Sequence, residues 1–134
     1  MILAVCVDDK YGMMFNKRRQ SRDQAQQENL LYWSTGRKLW MNAYSASLFK
    51  SEEIYVDDAF LQKAEAGDVC FVENQSVKEL GGQIEAVILY RWNRIYPADM
   101  RFDLDLSAFD LEETTEFAGT SHEVITREIY KRKG

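Results

Sequence analysis

Lys17-Arg18-Arg19-Gln20-Ser21-Arg22 places four cations in six residues, and Asp23 follows directly. Lys17, Arg18, Arg19 and Arg22 stand just ahead of a predicted helix, where orphan N–H groups add to their charge, so the stretch suits an anion site. It equally suits a solvated loop that balances Asp8, Asp9 and Asp23. Asp23 falls in the first helical turn, which the helix dipole favours for an acid. His122, beside Glu123, is the only histidine. Any imidazole acid or base must therefore be His122, although a place in a predicted hairpin also fits a structural role. Trp92, Tyr96 and Asp99 surround Pro97 as an aromatic-acid turn. Such a turn can recognise a partner or pack onto the hairpin beside it.

Other chemistries are poorly supplied. Cys6 and Cys70 each sit inside an apolar run and read as buried free thiols. One histidine and two separated cysteines are too few soft ligands for a zinc centre, so no metal is expected. The formal charge of −5 argues against broad nucleic-acid binding. The longest apolar run, Ala86 to Tyr90, is too short to cross a membrane. No basic region followed by a long apolar stretch precedes the first strand, so the default expectation is a cytoplasmic protein without a leader.

A chain of 134 residues predicts one domain, 1–134. Ile2 to Val7 is continuously apolar and reads as a strand buried on both faces. Asp8 to Asn16 reads as a loop pivoting on Gly12. Ser21 and Gln24 form a capping box for a helix from Arg22 to Thr35, stopped at Gly36. Arg37–Met41 is a second strand, followed by a helix from Asn42 through Phe49. Ile54–Val56 is a brief strand, and Asp57 or Asp58 caps a helix through Ala66. Val69–Val72 is another buried strand. Ser76 and Glu79 form a second capping box ahead of Gly81-Gly82. Ile84–Trp92 is a long strand, and Met100–Leu106 a looser one. Leu111–Phe117 and Glu123–Tyr130 pair around Ala118-Gly119-Thr120-Ser121. Strand–helix units first and a hairpin last predict an α/β fold with mixed strand directions.

This order resembles dihydrofolate reductase over nearly the whole chain. The opening strand Ile2–Val7, Gly12, and Asp23 at the head of the first helix match that family's order. So do Val69–Val72, the strand Val87–Trp92, Asp99 with Phe102, and Ser121-His122 ahead of Glu128-Ile129-Tyr130-Lys131-Arg132. The resemblance implies a three-layer fold with a mixed, mostly parallel central sheet and a C-terminal hairpin. It also implies a shortening around Lys50 to Glu65, in the part that holds the adenosine half of the cofactor. By the same resemblance Asp23 is the carboxylate that pairs with the amidine-like face of a pterin, a bidentate charge-assisted contact.

The departures from that family concern its cofactor. Its glycines after the central strand let backbone approach a diphosphate, whereas Glu73-Asn74-Gln75 puts a carboxylate there. Asn42-Ala43-Tyr44-Ser45 lacks the cation of the family's phosphate-gripping stretch. Arg18-Arg19 replaces the Pro-Trp of its mobile loop. Tyr90 stands where a threonine normally supports the substrate carboxylate. The expectation is a divergent scaffold that has lost NADPH binding and reductase activity, a pseudoenzyme with no cofactor. It would bind a small heterocyclic ligand near Asp23, Arg18, Arg19, Arg22, Glu73, Asn74 and Tyr90, or a protein partner through the arginine face and Trp92, Tyr96 and Asp99. Two alternatives remain. One is an oxidoreductase with an altered nicotinamide grip. The other is a metal-free ribonuclease using His122 with Arg18 or Arg19. Ribonuclease Z itself needs a His-x-His-x-Asp-His cluster and further histidines, which one histidine cannot provide.

Overall fold

The computed structural model describes residues Met1–Gly134. Its centre is strand β1 (Ile2–Val7), apolar at every position because both of its faces are covered. Leu3, Val5 and Val7 face one core, and Ile2 and Ala4 face the other. The period-2 alternation of a strand makes this division. β1 lies between two parallel neighbours, β6 (Val69–Phe71) and β7 (Ala86–Arg91). β7 repeats the division, with Val87 and Leu89 on one side and Ile88 and Tyr90 on the other.

Beyond β6 come β4 (Leu39–Met41) and β5 (Ile54–Val56), both parallel. Beyond β7 come β10 (Val124–Arg132) and then β9 (Phe109–Ala118), joined as an antiparallel hairpin. The seven-stranded order is β5-β4-β6-β1-β7-β10-β9. This is the mixed, mostly parallel sheet with a C-terminal hairpin that the sequence predicts.

The two cores give the molecule its layers. Helix α1 (Gln24–Trp33) covers one face through Leu30, with Leu31 and Trp33 beside it. The opposite face is covered by β2 (Gly12–Phe15), by α3 (Phe60–Lys63) and by the loop that carries Phe102 and Leu104. The remaining helix, α2 (Ala43–Ala46), follows β4 directly.

Several expected elements take a different form. Asp8–Asn16 is not simply a loop. Gly12–Phe15 forms a small second sheet with β3 (Arg18–Arg19) and β8 (Met100–Arg101), in the order β3-β2-β8. Asn16 and Lys17 both have positive φ, 51° and 62°, the requirement of a tight two-residue hairpin turn. Gly12 is buried against Ala98 and Asp8, so the β2 entry has no room for a side chain. The capping box at Ser21 does not form. Asp23 is the N-cap, accepting from the Gln26 N–H, and the Ser21 hydroxyl is turned elsewhere. Ser76 likewise bonds Asp103 rather than capping, and a 3-10 turn at Lys78–Gln83 stands in place of the expected helix. The helices expected to end at Phe49 and Ala66 are single turns at Ala43–Ala46 and Phe60–Lys63. No helix is long and apolar enough to cross a membrane.

Candidate functional site

Asp23 stands where α1 meets the tip of the β9–β10 hairpin. Its carboxylate accepts from five donors. Oδ1 takes the N–H of Gln26 at 3.2 Å and of Thr120 at 3.0 Å. Oδ2 takes the N–H of Ser121 at 2.7 Å, the N–H of His122 at 3.1 Å and the His122 Nδ1 at 3.1 Å. A carboxylate offers about four lone-pair positions, so this one is fully engaged by the protein. Burial would raise its pKa. The backbone donors Thr120 and Ser121, the His122 imidazole and the Gln26 N–H outweigh that and hold it at about 2. An ionised, buried acid thus pins a hairpin tip to the head of a helix.

The hairpin tip is shaped for this contact. A Cβ on Gly119 would lie 2.5 Å from the His122 carbonyl oxygen and 2.7 Å from Asp23 Oδ2. Both atoms are fixed, one as backbone and the other by its three hydrogen bonds. Gly119→Ala is therefore expected to destabilise the fold by roughly 1–3 kcal/mol, read in chemical denaturation, while an alanine at exposed Gly82, whose Cβ would meet nothing within 4 Å, serves as the control.

His122 is buried, and its ring is held on every side. It stacks on Trp92 with ring centres 4.4 Å apart and planes 15° apart. With Asp23 ionised, the Nδ1 proton points at the carboxylate, which leaves Nε2 as the acceptor. Two hydroxyls reach Nε2, Ser21 Oγ at 3.0 Å and Tyr96 OH at 3.0 Å. Tyr96 is fixed in turn, because its N–H donates to Asp8 at 3.1 Å. Asp8 gathers further donors from Lys10, Gly12 and Gln20, which together with the Tyr96 N–H hold its pKa below the ordinary range despite its burial.

A second constellation lies at the end of β6. Glu73 is buried and forms a forked ion pair with Arg19, Nε to Oε2 at 2.9 Å and Nη2 to Oε1 at 3.1 Å. The Ser45 hydroxyl donates to Oε1 at 2.8 Å. Arg19 also donates to the Tyr44 carbonyl at 3.2 Å, and its guanidinium lies 4.2 Å from the Tyr44 ring centre. Short helix α2 delivers Tyr44 and Ser45, its Asn42 N-cap fixing the turn. The expected repulsive carboxylate is thus neutralised inside the protein by one of the expected anion-binding arginines.

The four cations at 17–22 do not converge on one anion. Arg19 turns inward to Glu73, Arg18 and Lys17 are exposed at the hairpin turn, and Arg22 is exposed beside Asp23. Strand alternation and the tight turn at Asn16–Lys17 send these neighbours in different directions. Tyr90 does not reach Asp23. It is fully buried and its hydroxyl donates to Asn29 at 2.8 Å. Asn74 accepts from the Asn42 side chain at 2.9 Å. The aromatic-acid turn divides as well. Trp92 and Tyr96 close on His122, while Asp99 is exposed and accepts the Asn16 N–H at 3.0 Å. Trp92 is therefore core rather than a recognition surface. Ser21, expected only as a cap, is the residue that the sequence reading missed at this site. Its contact with His122 spans 101 residues, and no local spacing reveals it.

Beside Asp23 opens a cleft of about 320 Å³. Leu31 and Leu48 form its apolar wall, and Arg22, Lys50, Gln27 and Thr120 are among its polar groups. Both its size and its mixed lining suit a small ligand.

Comparison with known proteins is consistent with this architecture. No family model matches the chain, and no curated protein matches it in sequence. Among solved structures, dihydrofolate reductase from Enterococcus faecalis, in a complex with NADP(H) and RAB-propyl, superposes with a TM-score of 0.66 at 13% identity. The superposition covers 100% of this chain and 97% of that one. At that identity the likeness speaks for the fold alone, and the chain has a dihydrofolate reductase-like fold.

Proposed function

We propose that this protein uses the reductase scaffold without the dinucleotide and binds a small polar ligand in the cleft between Arg22, Asp23 and Lys50. The observation that carries this reading is the Glu73–Arg19 pair at the end of β6. In an open parallel sheet, phosphates are held beyond the carboxyl ends of the strands, where backbone must be free to approach them. Here a buried carboxylate, its arginine and the Ser45 hydroxyl occupy that end of the strand. The residues do not suit a diphosphate, and Asn42 to Ser45 adds no cation.

The cleft offers different chemistry. Arg22 and Lys50 supply positive charge, Glu28 and Asp23 negative charge, Gln27 and Thr120 neutral hydrogen bonding, and Leu31 and Leu48 an apolar wall. These groups favour a small polar ring compound that carries both donors and acceptors. The Asp23 carboxylate forms the base of the cleft and is already saturated by N–H donors. A pterin-like amidine would have to displace some of these bonds.

Calorimetric titration tests the reading. Reduced and oxidised dinucleotides, and folate, are expected to give no heat of binding up to millimolar concentration. Micromolar binding of NADPH would overturn it and restore the oxidoreductase alternative. A spectroscopic shift of bound nicotinamide would serve as the independent check.

A further inference from the structure

We propose that Ser21, His122 and Asp23 form a nucleophilic triad that cleaves small activated esters. The geometry is that of a relay. Ser21 Oγ is 3.0 Å from His122 Nε2, and His122 Nδ1 is 3.1 Å from Asp23 Oδ2. Such constellations recur on unrelated folds and are recognised by geometry and role, not by chain order. Each member is in the state the chemistry requires. Asp23 is buried, ionised and immobilised by backbone N–H groups, so it orients the imidazole rather than accepting its proton. His122 is locked against Trp92 and presents Nε2 as a base. Ser21 is half-buried rather than enclosed, in the short connection between β3 and α1. Arg22 follows the nucleophile directly, the position from which such sites commonly draw an oxyanion donor, and its N–H makes no hydrogen bond within the chain.

The step balances without a cofactor. Ser21 Oγ bonds to the carbonyl carbon while its proton passes to His122 Nε2. The carbon–oxygen bond to the alcohol breaks, and the proton on Nε2 leaves with that alcohol. Water then gives a proton to Nε2 and attacks the acyl carbon. The acid departs, and the proton returns to Ser21 Oγ. The net reaction is ester plus water to acid plus alcohol. The cleft lined by Arg22, Thr120 and Ser121 adjoins the triad, and only the placement of the acyl group there rests on the ligand-binding reading above.

Tyr96 makes the proposal sharply testable, because its hydroxyl competes with Ser21 for the same nitrogen. The full chain is treated with a small alkyl fluorophosphonate and analysed by intact mass and peptide mapping. One adduct is expected, on Ser21, with loss of fluoride. Ser21→Ala removes it. His122→Asn slows it by at least about 100-fold, the usual contribution of a general base. Tyr96→Phe frees Nε2 and is expected to accelerate labelling several-fold, where a purely structural clasp would show no gain. The same order is expected for hydrolysis of p-nitrophenyl acetate. No adduct on Ser21 in the folded wild type, or labelling of equal rate without the imidazole, overturns the triad. If His122→Asn does not fold, the wild type and Tyr96→Phe decide the question alone. Dinucleotide titration is independent of all these outcomes, so failure of the triad and failure of the ligand-binding reading are told apart.

Discussion

Asp23→Ala is expected to cost about 3–5 kcal/mol of folding stability, the loss seen when one partner of a buried charged network is removed. The substitution deletes the acceptor of three consecutive hairpin N–H groups, of the Gln26 N–H and of the His122 ring. Those donors sit at a buried junction where water does not replace every bond, and each orphaned donor costs about 1–3 kcal/mol. Urea denaturation checks it, as a fall in midpoint at unchanged slope. Asp23→Asn keeps the shape and two of the acceptor positions, so a smaller loss is expected. A loss below about 1 kcal/mol for the alanine variant would mean that the hairpin tip is held from elsewhere.

The same carboxylate makes stability depend on acid. Its folded pKa of about 2 lies below the ordinary 3.8, so the folded state binds the proton less readily than the unfolded chain. The contribution is therefore fully present above about pH 4 and is lost as pH falls through the folded value. Near two pKa units correspond to roughly 2 kcal/mol. Asp8 shifts in the same direction, held down by its own N–H donors. The gap between wild type and Asp23→Ala should consequently narrow by roughly 2 kcal/mol between pH 4 and pH 2, the bonds to the protonated carboxyl keeping the remainder.

How far these features were legible in the sequence depends on their range. β1, β6 and β7 announce themselves, because a strand covered on both faces must be apolar at each position. The terminal hairpin is equally plain from the turn expected at 118–121 and the paired runs around it, although Ala118 is still paired and the turn falls at 119–123. What local pattern could not convey is competition between partners. Ser21 and Gln24 spell a capping box, yet Asp23 caps the helix because the hairpin tip already holds its carboxylate in place. Four nearby cations look like an anion site, yet Arg19 has an acid fifty-four positions away. Tyr90 and Trp92 carry polar atoms and look available, yet β7 and its end run through the interior. In the second small sheet a strand from Met100 is legible from its loose alternation, though it stops at Arg101, whereas β2 reads as loop and two-residue β3 has no period to show.

The Arg19–Glu73 pair should behave as one unit in a double-mutant cycle. Arg19→Met alone leaves a buried carboxylate with only the Ser45 hydroxyl, and Glu73→Leu alone leaves a guanidinium with only the Tyr44 carbonyl and ring. Each single change is expected to lose about 3–5 kcal/mol, because an uncompensated charge remains in a poorly solvated place. The double variant should lose less than the sum of the two, by a coupling of about 1–3 kcal/mol. Additivity of the two losses would show that each side chain is held independently. The cycle also bears on the cofactor. Replacing both charged groups removes the repelling carboxylate without adding a phosphate-binding cation, so the double variant is still expected to ignore NADPH. Should it bind the dinucleotide where the wild type does not, the ion pair would be acting as an internal plug over a cofactor site that the fold retains.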